Sequence, residues 1–300
     1  MFDTHYSVLN FRLEMQNDCI LGENKSSALR GILGQALAIS NCFYDLKSRD
    51  CKKCFLSNKC LGNSILSTKI TGDLYFQSDK NTSPIIIRCK NNNRNFQALD
   101  KLDFTMIILG YTLAYIPQII EAYIYSGMFL GIGDGYFNVE FVKNEFGEIL
   151  FDGKGILKEN LVISKLSEYI YAKKRFLRDV NGIKLITPLS YKADRKIQKT
   201  LTGKNLRNLL ERRILTINAL EGKSYDSFEL NDFNLEIEEL GWYEFERHSN
   251  RQKRNMNMGG IVGTFKLFDL EDFQLDCLIA GELIHIGKST SFGFGEYEIF

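Results

Sequence analysis

Proline is scarce in this chain, three in 300 residues, and tryptophan occurs once and histidine three times. So few prolines exclude a stiff or disordered proline-rich linker as a major part of the molecule. An excess of either charge is also missing: 38 Lys and Arg stand against 37 Asp and Glu, a net charge of +1. That balance excludes a uniformly basic surface and leaves any polyanion site to local clusters. No uninterrupted apolar run of about eighteen residues occurs, and residues 1–10 lack a basic region followed by an apolar core. Neither a spanning helix nor a secretory signal is expected, and a cytoplasmic protein with no membrane partner is. What is present, 44% hydrophobic and 25% charged residues over 300 positions, describes an ordinary globular chain long enough for two domains.

Basic clusters do exist. Eight Lys or Arg lie between Lys192 and Arg213 against two acids, Asp194 and Glu211, and four lie between Arg247 and Arg254 with none. Seven cysteines in a reducing compartment point to thiols or a metal site rather than a disulfide framework. Four of them, Cys42, Cys51, Cys54 and Cys60, fall within nineteen residues and include one C-x-x-C pair. A pair at that spacing can hold an ion from a tight turn, and two flanking thiolates can complete a tetrahedral shell. Structural zinc is the first expectation, with an iron–sulfur cluster and unliganded thiols as the alternatives. Four protein ligands leave no open position, so no catalytic cofactor is expected.

The periodicities give an ordered plan. Alternation over Tyr6–Leu13 reads as a strand, and apolar spacing over Ser27–Ser40 as a helix capped by Ser26 or Ser27. Strands at Ile85–Arg88 and Leu102–Leu109 precede a helix around Ala114–Tyr125, and a strand at Tyr136–Val142 turns back through Gly147 to Phe151. After a connecting region, 155–182, the order recurs: strand Lys184–Tyr191, helix Lys204–Leu220, strands Leu235–Phe245 and Ile261–Phe268, helix Phe273–Ile286, strand Glu296–Phe300. Two split βαβ units result. The fold class is α+β, two tandem ferredoxin-like domains with antiparallel sheets, 1–154 with a cysteine-rich insertion at 42–62, and 183–300. The RNA recognition motif shares this plan, although fold alone does not settle function.

Near the carboxy terminus Gly287, Gly293 and Gly295 surround Lys288, Ser289, Thr290 and Ser291. Glycines free to take positive φ let successive amides point outward, and a lysine with hydroxyls beside them suits phosphate oxygens. The Walker nucleotide loop is excluded: it requires a glycine where Glu282 stands, and a loop that opens a helix rather than follows one. Gly131–Gly135 lacks the dinucleotide spacing and precedes a strand, so it reads as a loop where backbones approach closely. Of the histidines, His5 opens the first strand and reads as structural or surface. His248 sits in the polar segment Arg247–Gln252, and His285 ends a helix just before the glycine loop. An imidazole titrating near neutrality can move a proton beside a phosphate, which makes His285 and His248 the candidates for chemistry.

These landmarks together resemble the CRISPR repeat-processing endoribonucleases of the RAMP superfamily, the Cas6 family. The resemblance rests on Ser27-Ala28-Leu29-Arg30-Gly31 leading into the cysteines, on Gly131–Gly135, on Trp242–Gln252, and on Gly259-Gly260 through Gly293-Phe294-Gly295. It implies cleavage of repeat RNA without metal, the 2′-hydroxyl attacking the adjacent phosphate to leave a 2′,3′-cyclic phosphate and a 5′-hydroxyl. On that reading His285 or His248 transfers protons and Lys288 stabilises the phosphorane. Ser289, Thr290, Gly287, Gly293 and Gly295 cradle the phosphate, and Arg247, Ser249, Arg251, Gln252, Lys253 and Arg254 hold the RNA. Implied partners are the repeat RNA, its mature crRNA product and other Cas proteins of an effector complex. The histidine that relatives carry in or after the first helix has no counterpart, since Gln35 and Tyr44 stand there, and His248 replaces a tyrosine that relatives tend to show. A subunit that binds RNA without cutting it, and a thiolate-metal protein whose cysteine loop contacts nucleic acid, are the rival readings.

Overall fold

Residues that alternate between core and surface make His5–Met15 the first strand, β1: Leu9, Phe11, Leu13 and Met15 are buried while Asn10, Arg12 and Glu14 face outward. The structure, a computed structural model, describes residues 1–300 except 46–48, 52, 71–73, 75, 77–80, 224–227 and 250–253; for 81, 246–249 and 254–256 it describes the backbone alone. The described chain forms two units, Tyr6–Thr71 with Asp79–Ile163, and Met1–His5 with Gly72–Ser78 and Ser164–Phe300.

In the first unit β1 is followed by helix α1, Lys25–Asn41. Its cap is Asn24, whose side chain accepts the Ser27 amide at 2.7 Å, one turn-start earlier than the expected serine caps. Strands β2 (Ile85–Arg88) and β3 (Lys101–Leu109), helix α2 (Ile116–Tyr125), and strands β4 (Phe137–Lys143) and β5 (Ile149–Phe151) complete it. The sheet runs β2-β3-β1-β4-β5, each neighbouring pair antiparallel. The inner row of β1 packs with Leu29, Leu33, Ile119, Ile120 and Tyr123 in one core. There Phe11 stacks on Phe104 at 4.7 Å, and the buried Tyr123 hydroxyl donates to the Leu29 carbonyl at 3.2 Å. Gly131 to Gly135 is a close-approach loop: a Cβ on Gly135 would lie 2.5 Å from Cys19 Sγ.

The second unit begins earlier than the sequence shows. The connecting region 155–182 contains helix α3, Leu166–Lys174, tied to the unit's last helix through buried Glu282, which receives Lys173 Nζ at 2.9 Å and the Tyr169 hydroxyl at 3.2 Å. Then follow β6 (Gly182–Leu185), α4 (Gly203–Asn218), β7 (Asn234–Ser249), β8 (Arg254–Phe268), α5 (Asp272–Ile284) and β9 (Tyr297–Ile299). The antiparallel sheet runs β7-β8-β6-β9. In both units the order is second, third, first, fourth strand, which is the ferredoxin-like arrangement expected. Helix α5 is apolar nearly all round, Cys277 to Ile284 being buried without a break, as a helix enclosed by neighbours requires.

Candidate nucleic-acid interface

Strands β7 and β8 pair from Asn234–Phe268 to Ser249–Arg254, while β6 covers β8 only at Thr264–Lys266, with a single further bridge from Leu189 to Ile261. Beyond that bridge, from the Tyr243–Gly260 pair to the Ser249–Arg254 pair, the two strands form a ribbon with no third strand among the described residues. The six residue steps of that strand extend about 20 Å. A two-stranded ribbon of that kind is marginal in water without a partner or a packed face.

The base of the ribbon carries rings on both faces. Tyr243 and Phe245 alternate onto one face, with centroids 6.1 Å apart, and Phe245 meets Phe294 of the glycine-rich loop at 5.6 Å. On the other face Trp242, 38% exposed, lies against Gly259: a Cβ there would sit 2.9 Å from the indole. Lys199 Nζ stands 5.8 Å from the indole centroid, within cation–π range. Toward the tip, Arg247 pairs with Met256, His248 with Asn255 and Ser249 with Arg254. The side chains of Arg247, His248, Ser249 and Arg254, and all of Arg251, Gln252 and Lys253, lie outside the described residues.

The glycine-rich loop is built differently from the expected cradle. Gly293 donates its N–H to the Thr290 carbonyl and Gly295 to the Pro188 carbonyl, each at 3.0 Å, so these amides point inward. A Cβ on Gly287 would lie 2.6 Å from the Ser190 carbonyl oxygen, and one on Gly295 would overlap that of Ile286; both residues have positive φ. Glycine is therefore required for backbones to cross closely. Thr290, Ser291 and Gly293 are buried and Ser289 and Gly287 half-buried, leaving Lys288 as the loop's exposed cation. Its own amide donates to the Ser190 carbonyl at 2.7 Å.

His285 does not face this surface. Its ring has no solvent exposure and its Nδ1 lies 2.9 Å from the Phe294 carbonyl oxygen. Enclosed in this way, the imidazole presents no face to solvent, unlike the exposed proton-transfer group expected. Beside it Arg213, also buried, donates from Nε to the Ile284 carbonyl at 2.9 Å, closing the end of α5. Burial brings the Arg213 guanidinium down to about 10. His5, read as structural or surface, joins Glu221: its backbone N–H donates to Oε1 at 2.7 Å and its Nδ1 lies 3.1 Å from the same oxygen. Lys223 Nζ reaches the other carboxylate oxygen at 2.7 Å. Burial opposes ionisation of Glu221, but the donors from Lys223 and His5 outweigh it and hold the carboxyl below its ordinary range. The sequence offered no signal for this pairing of residues 216 positions apart.

Two other features carry less. On the outer face of the first unit's sheet Arg12 binds Asp103 through two bonds, 2.7 and 2.8 Å, and Lys101 meets Glu14 and Glu140. Cations already matched by acids leave little attraction for phosphates. Cys42, Cys51, Cys54 and Cys60 are free and half-buried. Among the described residues no three His, Cys, Asp or Glu side chains are grouped to hold a metal ion. Cys42 caps the end of α1, donating its N–H to the Ala38 carbonyl, whereas Cys60 precedes the helix Leu61–Leu66. Separate helix ends hold the backbones of these two cysteines, and no step is routed through a metal at them. No described helix is long and apolar enough to cross a membrane.

The tandem ferredoxin-like units define a class of fold, and comparison narrows it. Residues 4–162 match the AF_1859 amino-terminal domain model, and residues 183–297 match the model described as CRISPR-associated endoribonuclease Cas6. An uncharacterized protein of Archaeoglobus fulgidus is 25% identical over 277 residues, 90% of this chain and 89% of its own. Among solved structures, a Cas6 product complex aligns with a TM-score of 0.55 at 12% identity over 98% of this chain and 99% of its own. Thermus thermophilus Cas6 aligns at 0.52, 10% identity and 99% of both chains. A chain of a partial Cas6-RT-Cas1–Cas2 complex aligns at 0.59 and 14% identity over all of this chain, which spans 47% of that larger one. At such identities the structural likeness speaks for the fold. The chain belongs to the family of the AF_1859 amino-terminal domain, whose model covers more than half of it, and its carboxy-terminal part matches the Cas6 model.

Proposed function

We propose that the protein binds CRISPR repeat RNA along the β7–β8 ribbon and cleaves it without metal, by attack of a 2′-hydroxyl on its neighbouring phosphate. The observation that carries this reading is that the Cas6 model spans 183–297, the residues that build the ribbon and the glycine-rich loop. Lys288, exposed on that loop, supplies positive charge beside the reacting phosphate. Proton transfer falls to His248, because His285 is enclosed and His5 is held by Glu221. Its neighbours in sequence, Arg247, Arg251, Lys253 and Arg254, hold the RNA backbone. Partner Cas proteins and mature crRNA follow from the same reading.

The burial of His285 also favours a second reading, a family member that holds RNA without cutting it. Incubating the protein with a repeat RNA in EDTA decides between them. Cleavage at one position, abolished by a single 2′-deoxy nucleotide there and slowed at least a hundredfold in His248→Ala with affinity retained, supports the enzyme. Binding without cleavage supports the holder, and magnesium-dependent cleavage rejects the mechanism.

A further inference from the structure

Trp242 serves no core. It is 38% exposed on a ribbon edge, yet its ring rests on a partner: Gly259 gives it a flat backbone floor that any side chain would lift, and Lys199 stands beside it. A large apolar ring backed by a flat floor and open to solvent, with a cation next to it, is arranged for a flat, anionic-linked ligand. Resting on the RNA reading above, we propose that Trp242 is a stacking site for an unpaired nucleobase, so that the protein takes its RNA single-stranded at this point. A base inside a duplex shows no free face to the indole, whereas every unpaired base does.

Charge on the ribbon sets the direction. Glu244, exposed and on the same strand face two residues toward the tip, repels phosphate. Exposed Lys199, beside the indole, attracts it, and exposed Lys196 and Lys192 on the same segment add to that attraction against Asp194. The strand therefore enters along the Lys192–Lys199 segment, drops one base onto Trp242, and turns away from Glu244.

Trp242 is the chain's one tryptophan, so indole fluorescence excited selectively over the 14 tyrosines reports on this site alone. An unstructured oligoribonucleotide and a blunt RNA duplex are titrated into the full-length protein, with binding followed separately by anisotropy of labelled RNA. The single strand is expected to quench the indole and the duplex to leave it unchanged. Trp242→Ala is expected to weaken single-strand binding about tenfold or more, and Trp242→Phe by much less, since a ring remains. Gly259→Ala, which tilts the indole without removing it, is expected to reduce both quenching and affinity. Single-strand binding with no change in emission overturns the stacking site while leaving RNA binding intact. Absence of binding to either RNA overturns both readings, and equal quenching by the duplex overturns the single-strand preference.

Discussion

His285 Nδ1 lies 2.9 Å from the Phe294 carbonyl oxygen, and the imidazole is wholly enclosed. A carbonyl only accepts, so Nδ1 carries the hydrogen and the tautomer is fixed. The bond ties the end of α5 to the loop that returns toward β9. His285→Ala removes the bond and leaves a void, and is expected to lower the unfolding free energy by about 2–4 kcal/mol. Denaturant titration measures this. RNA affinity of the folded fraction is expected to stay unchanged, because the ring contacts no ligand.

The loop glycines make a sharper comparison. Gly287→Ala places a methyl carbon against the Ser190 carbonyl at positive φ, and a loss of at least about 1–3 kcal/mol is expected. Gly31, on helix α1, has nothing within 4 Å of its Cβ position. Gly31→Ala is therefore expected to stabilise by about 0.5–1 kcal/mol. Thermal melts of the two variants should move in opposite directions.

Acid stability should report the Glu221 cluster. Its folded-state carboxyl is held below the ordinary value by Lys223 and His5 against the opposing effect of burial. The stability it confers is thus fully present above the unfolded carboxylate value, about 4.3, and is lost as pH falls through the lower folded value. Glu221→Gln is expected to flatten this part of the acid limb. An unchanged slope of stability against pH in that window would contradict the arrangement.

Much of the architecture was legible in the sequence. Strands with a buried inner row, such as β1, and helices with a continuous apolar stripe, such as α4, announce themselves by period. Helix α3 did not, because only Leu166 and Ile170 are buried and Glu282, 109 positions from Lys173, secures it. The ribbon beyond Phe245 reads in the sequence as a polar segment between strands, since backbone pairing across it needs no apolar alternation. Composition could not distinguish a phosphate cradle from a tight crossing of backbones at Gly287–Gly295. Only Ser190, Pro188 and Ile286, brought there by the fold, decide that. The stacking ring on Trp242 had a faint signal in Trp-Tyr-Glu-Phe at 242–245, but its floor, Gly259, lies across the hairpin.

Lys288 tests the loop's remaining role. With its side chain exposed and its amide anchored on Ser190, Lys288→Ala should leave the melt unchanged. If it contacts one phosphate, the slope of log affinity against log salt should fall by about 1. An unaltered slope would remove this lysine from the interface.

The most direct measurement of the central claim is end-group analysis of the RNA fragments produced in EDTA. Attack by the 2′-hydroxyl leaves a 2′,3′-cyclic phosphate on the upstream fragment and a 5′-hydroxyl on the downstream one, and mass spectrometry should find that pair. A 5′-phosphate on the downstream fragment would show that water or a metal-bound nucleophile made the cut, and would contradict the account.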